Sequence, residues 1–138
     1  MPTERNLKLD KYGIDKNRYL ELKYFCRQYP KWKRRITDLR NGYTPINLTG
    51  MPSGSGTTDN VAKAAIEAAE LSKQCELIEQ CCIEADNEIY QELLRNITEG
   101  IPYEYMTVYI GRRQFYEARR KFFWLLDKKK GNSRDVLS

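Results

Sequence analysis

The sequence contains no histidine among its 138 residues. That absence excludes Ser-His and Cys-His catalytic pairs, imidazole general bases and Cys/His zinc fingers. The four cysteines, Cys26, Cys75, Cys81 and Cys82, form no C-x-x-C pair, so we interpret them as buried free thiols and expect neither a metal site nor a cofactor. No stretch approaches the roughly 20 apolar residues of a membrane helix, and residues 1–10 lack the apolar core of a signal peptide. We therefore expect a cytoplasmic protein without a membrane partner.

Carboxylates are plentiful, but their placement does not favour catalysis. Glutamates in the middle of the chain are scattered around the polar sides of a predicted helix, and no nucleophile with a positioned base accompanies them. We therefore expect no catalytic residues and no enzyme.

Charge is unevenly distributed along the chain. Residues 1–48 hold 12 Lys/Arg and 5 Asp/Glu, residues 49–100 hold 3 and 10, and residues 101–138 hold 9 and 4. Two basic ends around an acidic middle are typical of a nucleic-acid binder whose contact surface uses only part of the chain. The alternative is that the blocks pair with one another in the fold.

The N-terminal part, residues 1–40, is predicted to be a basic helical region. From Asp15, which can cap the helix start, to Leu39, apolar residues recur at spacings of three and four. Pro30 predicts a kink or two consecutive helices. Arg34 and Arg35 lie on the other face, where they could contact phosphates or only solvent.

A Gly/Pro/Ser/Thr-rich connector is predicted over residues 41–58, followed by a long helix that Thr58 or Asp59 caps. Small apolar residues from Val61 to Ala85 form a seam on this helix, which we expect to pack antiparallel against the first helical region as a hairpin. A parallel homodimer through the long helix remains the alternative.

A third helix is predicted over residues 86–98, with Gly100 as its C-terminal stop; with the long helix it makes up the segment 59–98. Residues 101–130 then read as a short helix from Pro102 to Thr107, a turn around residues 109–111, and a long basic helix from Arg112. This is the layout of a helix-turn-helix. Residues 131–138 are predicted to be a frayed tail.

The last helix is amphipathic, with Phe115, Ala118, Phe122 and Leu125 or Leu126 predicted to face inward. Its outward residues are of the kinds that read bases in the major groove, and those we assign to this role are Arg112, Arg113, Tyr116, Glu117 and Arg120. Basic residues further along suit phosphate contacts, and these are Arg119, Lys121, Lys128, Lys129 and Lys130, together with Arg34 and Arg35. The alternative is an ordinary terminal helix with a solvated charged face.

The stretch VYIGRRQFYEARRKFFWLL resembles the C-terminal DNA-binding region of bacterial sigma factors. Ile110 and Gly111 match the turn, and Phe115 and Ala118 match inward recognition-helix positions. The upstream basic helix, Gly/Ser linker and Leu/Ile-rich helix resemble phage transcriptional regulators of the RinA and ArpU type. The resemblance implies a late-gene activator in a bacterial host cell that binds promoter DNA and bacterial RNA polymerase.

The sequence thus predicts an all-α protein with an N-terminal helical hairpin and a C-terminal sigma-like helix-turn-helix. The expected function is sequence-specific binding of double-stranded DNA. Two alternatives stay open: a small terminase subunit for DNA packaging, and a helical protein-interaction module. The operator, the oligomeric state and direct polymerase contact are left undetermined.

Overall fold

The computed structural model describes residues 13–42, 54–107 and 110–131, with the side chains of residues 54–58 outside the description. These parts of the chain are helical and contain no strand, so the predicted all-α class is confirmed. The helices are α1 (Lys16–Arg27), α2 (Tyr29–Arg40), α3 (Gly54–Ala85), α4 (Tyr90–Glu99) and α5 (Arg112–Lys130), with a 3₁₀ turn at Tyr103–Tyr105.

Near the N-terminal end, the predicted helix cap at Asp15 and the predicted helix break at Pro30 are both confirmed. The Asp15 carboxylate accepts a hydrogen bond from the Arg18 backbone N–H at 2.8 Å and caps α1. Pro30 lies in the first turn of α2, where a missing N–H costs nothing, and a turn at Gln28 separates α1 from α2. The prediction of two consecutive helices is confirmed.

The chain divides into two compact units. One comprises Met1–Gln28 and Leu77–Ser138, and the other comprises Tyr29–Glu76. Helix α3 contributes its first part to the second unit and its last part to the first.

In the first unit, α1, α4 and α5 pack against one another. The core is apolar and rich in aromatic rings; its fully buried side chains include Leu22, Ile78, Leu93, Phe115, Phe122, Phe123 and Leu126. Burying an aromatic or leucine side chain of this size stabilises a fold by about 1.5–3 kcal/mol. This cluster therefore holds the three helices in fixed positions.

An ion pair joins the two ends of this unit. Arg18 of α1 donates from Nε to Asp127 of α5 at 2.6 Å, and from Nη2 to the carbonyl oxygen of Gly131 at 3.4 Å. Asp127 is buried and Arg18 is largely so. Burial would lower the pKa of Arg18, but its hydrogen bonds to Asp127 and Glu21 raise it overall, so the guanidinium stays charged.

In the second unit, polar side chains join α2 to the first part of α3. Arg35 pairs with Glu67 through Nε at 2.9 Å, and Arg40 donates from Nη2 to the hydroxyl of Ser72 at 3.1 Å. These contacts confirm that the long helix packs against the second half of the predicted N-terminal helix. The predicted antiparallel direction is wrong, because both contacts advance in the same sense along the two helices, as they do in a parallel pair.

Two predicted helix starts change. Helix α3 begins at Gly54 rather than at Thr58 or Asp59, so the predicted connector is shorter by its last five residues. Helix α4 begins at Tyr90, because residues 87–89 form a turn after α3. Its stop at Gly100 is confirmed, with φ at 76°. The expected flexibility of the connector and of the tail concerns residues 43–53 and 132–138, which lie outside the described part.

The predicted short helix from Pro102 to Thr107 is wrong. Only a 3₁₀ turn over Tyr103–Tyr105 forms there. Pro102 has an extended backbone, and the Tyr103 hydroxyl donates to the carbonyl oxygen of Ile110 at 2.8 Å, which pulls the segment toward the start of α5. The helix that precedes α5 in the chain is therefore α4, and a connection from Gly100 to Gly111 separates the two.

Candidate nucleic-acid interface

Helix α5 is anchored to the first unit along its whole length, and it carries most of the predicted DNA-contacting residues. At its start, the Tyr103 ring packs against Phe115 with ring centroids 5.1 Å apart. In its middle, Arg119 donates from Nε to the Asn96 side chain of α4 at 2.9 Å. At its end, Asp127 holds Arg18 of α1. A helix fixed at three points can present its exposed side chains in a constant orientation.

The buried side of α5 is wider than the sequence pattern predicts. The expected stripe of Phe115, Ala118, Phe122 and Leu126 is buried. A second buried stripe beside it contains Arg120, Phe123 and Asp127. Because two neighbouring stripes face the core, fewer residues of this helix are left for solvent.

Arg120 was predicted to read bases, and this is wrong. Its side chain is only 9 % exposed, and it pairs through Nη2 with Glu117, one turn earlier on the same helix. Its Nε is buried and has no hydrogen-bond partner. A guanidinium held in this way cannot reach a base edge without leaving the protein interior.

Tyr116 and Glu117 are only half exposed. The Tyr116 ring lies edge-on to Phe115, with centroids 5.5 Å apart, and it also contacts the Tyr103 ring. Glu117 is the partner of Arg120. Both residues therefore help to hold the start of α5, which limits their predicted role in base reading.

Arg119, which was predicted to contact phosphates, is half-buried and has partners within the first unit, which limits that role. Besides its hydrogen bond to Asn96, its guanidinium lies 5.1 Å from the centroid of the Phe123 ring and 5.7 Å from that of Tyr19. Cation–π contacts and a charge-assisted hydrogen bond hold the group inside the three-helix packing. Arg119 therefore joins α1, α4 and α5.

The three lysines at the end of α5 are exposed, and each has a partner within the chain. Lys128 lies 4.3 Å from the centroid of the Trp124 ring, Lys129 pairs with Glu84 at 3.0 Å, and Lys130 lies 3.8 Å from the centroid of the Phe25 ring. Burial, followed by the neighbouring charge of Arg18, lowers the pKa of Lys130, whereas Glu84 raises the pKa of Lys129. Lys129 and Lys130 therefore fasten α5 to the rest of the unit.

The remaining predicted contact residues differ in how they are held. Arg112 is exposed, pairs with Glu104 and lies over the Tyr103 ring. In the second unit, Arg35 is engaged by Glu67, whose pKa it lowers through a hydrogen bond, whereas Arg34 is exposed without a hydrogen bond or ion pair to the described residues.

A basic face of α5 does stay open to solvent. It runs along the helix through Arg113, Glu117, Lys121, Trp124 and Lys128, with Gln114 beside its first residue. Arg113, Gln114 and Lys121 are exposed, and within the described part of the chain they form no hydrogen bond or ion pair. We call Arg113, Gln114, Lys121 and Lys128 the open face.

Gln114 was not among the contact residues predicted from the sequence, although the sequence contains a signal for its exposure. Phe122 and Phe123 are adjacent, and two consecutive buried aromatics require a wide buried arc on a helix. Such an arc covers the side on which Arg120 lies and leaves the side of Gln114 and Lys121 exposed. The adjacent Phe pair was therefore the sequence signal that could have shown which side of α5 stays exposed.

The open face has the chemistry for a nucleic-acid backbone and base edges. Arginine can donate two hydrogen bonds to guanine, and glutamine can do the same with adenine. Lysines contribute charge toward phosphates. The middle of this side of α5 is less favourable for an anionic ligand, because the Glu117 carboxylate lies between Arg113 and Lys121.

The four cysteines are buried, and none of them is in a disulfide bond. Burial raises the pKa of Cys81 to about 12, and it raises the pKa values of Cys26 and Cys82 further. Within residues 13–42, 54–107 and 110–131, no three Cys, Asp or Glu side chains form a group that could hold a metal ion. None of the helices described is both long and apolar enough to cross a bilayer.

No protein-family model matches the chain, and no similar protein was found among the curated proteins or the solved structures.

Proposed function

We propose that the protein binds double-stranded DNA through the open face of α5 and acts as a sequence-specific transcriptional regulator. The observation that carries this proposal is the contrast between the two sides of α5. One side is fastened to α1 and α4, while Arg113, Gln114 and Lys121 on the other side are exposed. Three packed helices with the last one exposed are how three-helix DNA-binding domains present a recognition helix.

The start of α5 supports the same proposal. Its first turn contains Arg112 and Arg113 and no acidic residue. Cations are unfavourable at a helix N-terminus, because the helix dipole is positive there. Glu104 offsets this cost for Arg112, but the described residues supply no carboxylate to Arg113. An anionic ligand would remove the remaining cost.

Within this proposal, Arg113 and Gln114 contact base edges, because they lie in the first turn of the helix that enters the groove. Lys121 and Lys128 lie further along and contact phosphates. The expected biological role, late-gene activation with bacterial RNA polymerase as a second partner, rests on the resemblance to phage regulators and not on the geometry of α5.

The first experiment selects duplexes from a random-sequence library with the full-length protein and then measures affinity for a selected and an unrelated duplex over a salt series. Arg113→Ala should weaken binding to the selected duplex by about 10–100-fold and bring the two affinities closer together. Lys121→Ala should weaken binding to both duplexes alike and reduce the salt slope by about one.

Lys16→Ala is the matched control, because Lys16 is an exposed helical lysine of the same unit on α1. It should leave both affinities unchanged. Failure to enrich any duplex, or binding that Arg113→Ala and Lys121→Ala leave intact, would contradict the proposal. A ring of eight or more copies in solution would favour the DNA-packaging alternative over a regulator.

A further inference from the structure

The outer side of α3 carries an exposed apolar strip over residues 59–73. Ile66 is 60 % exposed, although isoleucine is usually buried. Ala62 and Ala69 lie one turn before and after it, and both are exposed, as is Ala65 beside them. The opposite side of the helix contains the buried Ala68 and Cys75. A surface helix normally has polar residues where this strip lies.

Four charged residues border the strip, and the order of their charges along the helix is complementary to itself when the helix is reversed. Asp59 and Lys63 precede Ile66, and Glu70 and Lys73 follow it. All four are exposed, and the described residues give none of them an ion-pair partner. Reversing the helix about Ile66 exchanges the places of Asp59 and Lys73, and it brings Lys63 within one residue of the place of Glu70. Every charge then lies at or beside the place of an opposite charge.

We propose that this strip pairs with the same strip of a second copy of the chain, with the two α3 helices antiparallel about a twofold axis near Ile66. In that arrangement Lys63 faces Glu70 of the second copy, and Asp59 faces Lys73 of the second copy. Ile66 packs against Ile66 and Ala69 of the second copy. Each contact occurs twice, as a twofold interface requires.

The charges select the antiparallel direction. In a parallel pair in register, each of the four residues would lie beside its own copy, and like charges at a helix interface are destabilising. Glu76, the next exposed acid along this side, would lie near the first turn of α3 in the second copy, where the helix dipole favours a carboxylate. The alanines allow the two backbones to approach closely.

This pairing differs from the parallel homodimer that the sequence left open. That dimer would use the seam of the long helix, whose members Ala68 and Cys75 are already buried within one chain. The proposed pairing uses the opposite side of the helix and does not depend on DNA binding. Its apolar area is small, so we expect a weak dimer in which charge decides the partner.

Charge reversal in the full-length protein tests the pairing. Lys63→Glu places two acids together at each end of the interface, and Glu70→Lys places two lysines together. Sedimentation equilibrium over a concentration series should show that each variant alone associates at least about tenfold more weakly than the wild type. An equimolar mixture of the two variants restores opposite charges at both ends, so association should return to about the wild-type level or above it.

Ile66 provides a second test with a matched control. Ile66→Asn should weaken association at least about tenfold, whereas Val61→Asn should not, because Val61 is 63 % exposed on the same helix but lies away from the strip. Circular dichroism verifies that both variants keep their helical content. A wild-type chain that stays monomeric at every concentration would overturn the proposal. So would a dimer whose association Ile66→Asn does not weaken, or one that Val61→Asn weakens equally. The proposal also fails if the mixture of Lys63→Glu and Glu70→Lys associates no more strongly than each variant alone.

Discussion

Helix α5 and the first part of α3 are both long amphipathic helices, yet they bury very different side chains. In α5 the buried set comprises seven residues, among them three phenylalanines, and it extends over two neighbouring stripes. In residues 59–76 of α3 the buried side chains are Ala68 and Cys75. Helix α5 is fixed by aromatic packing from several directions, whereas the first part of α3 buries small residues and contacts α2 through a surface ion pair and a hydrogen bond.

This difference explains why the two helices suit different tasks. A helix with large buried side chains loses much free energy if it shifts, so its exposed face keeps a constant geometry, as base reading requires. A helix with small buried residues and an exposed apolar strip can accept a second helix instead. The DNA proposal and the self-pairing proposal thus rest on opposite properties of two helices in one chain.

The largest expected effect comes from removing an aromatic ring of α5. Phe122 of α5 is fully buried. Phe122→Ala should lower the free energy of unfolding by about 3–5 kcal/mol, because it removes apolar burial and leaves a cavity. Chemical denaturation followed by circular dichroism measures this loss.

The corresponding change in α3 is Ile66→Ala, which serves as the control at a protein concentration low enough to keep the chain monomeric. Alanine has the higher helix propensity and Ile66 is exposed, so the free energy of unfolding should stay equal or rise slightly. A loss comparable to that of Phe122→Ala would mean that the two helices do not differ as described.

A smaller effect is expected at the glycines that end helices in the two units. Gly100 and Gly42 both have positive φ, at 76° and 69°. Alanine at either position should cost about 1–2 kcal/mol of backbone strain. At Gly100 an added Cβ would also lie 2.9 Å from Nη2 of Arg27, whereas at Gly42 it would meet nothing within 4 Å. Because Arg27 is exposed and its flexible side chain can move aside, Gly100→Ala should destabilise the protein only slightly more than Gly42→Ala.

Removing the arginine isolates that extra contact. In an Arg27→Ala background, Gly100→Ala should lose its excess over Gly42→Ala, because the displaced guanidinium is gone. Denaturation of the four variants measures the coupling between positions 27 and 100. An equal cost at the two glycines in both backgrounds would show that Arg27 does not constrain the end of α4.

Local sequence signals predicted most of the helices. Asp15, Pro30 and Gly100 act through the backbone next to them, so their effects on α1, α2 and α4 could be read directly from the sequence. The same holds for the apolar period of α5. The segment after Pro102 was predicted as a helix and forms only a 3₁₀ turn, because Tyr103 makes contacts with Phe115 and Ile110 that no local pattern shows.

The candidate site was less predictable than the fold. Helical spacing identifies one buried stripe, but it does not show how many neighbours a helix has. Contacts of α5 with both α1 and α4 bury Arg120 and occupy Arg119, whereas Gln114 and Lys121 remain exposed. Which arginines are available to a ligand was therefore decided by tertiary packing.

The smallest expected effect is a difference in labelling rate among buried thiols. Cys75 is 3 % exposed in the second unit, whereas Cys26, Cys81 and Cys82 are buried in the first unit. Thiolates are the reactive form, and burial holds the pKa values of the three thiols in the first unit far above neutral pH. Labelling of any of these cysteines therefore requires local opening.

Local opening around Cys75 should be easier, because the first part of α3 buries only small side chains and is held by exposed contacts such as Arg35–Glu67. A thiol reagent followed by absorbance at neutral pH should show one fast-reacting group and three slow ones. Cys75→Ser should remove the fast phase and leave the slow phase unchanged. If the fast phase persisted in Cys75→Ser, a cysteine of the first unit would be the more accessible one. The first part of α3 would then be held at least as firmly as α5.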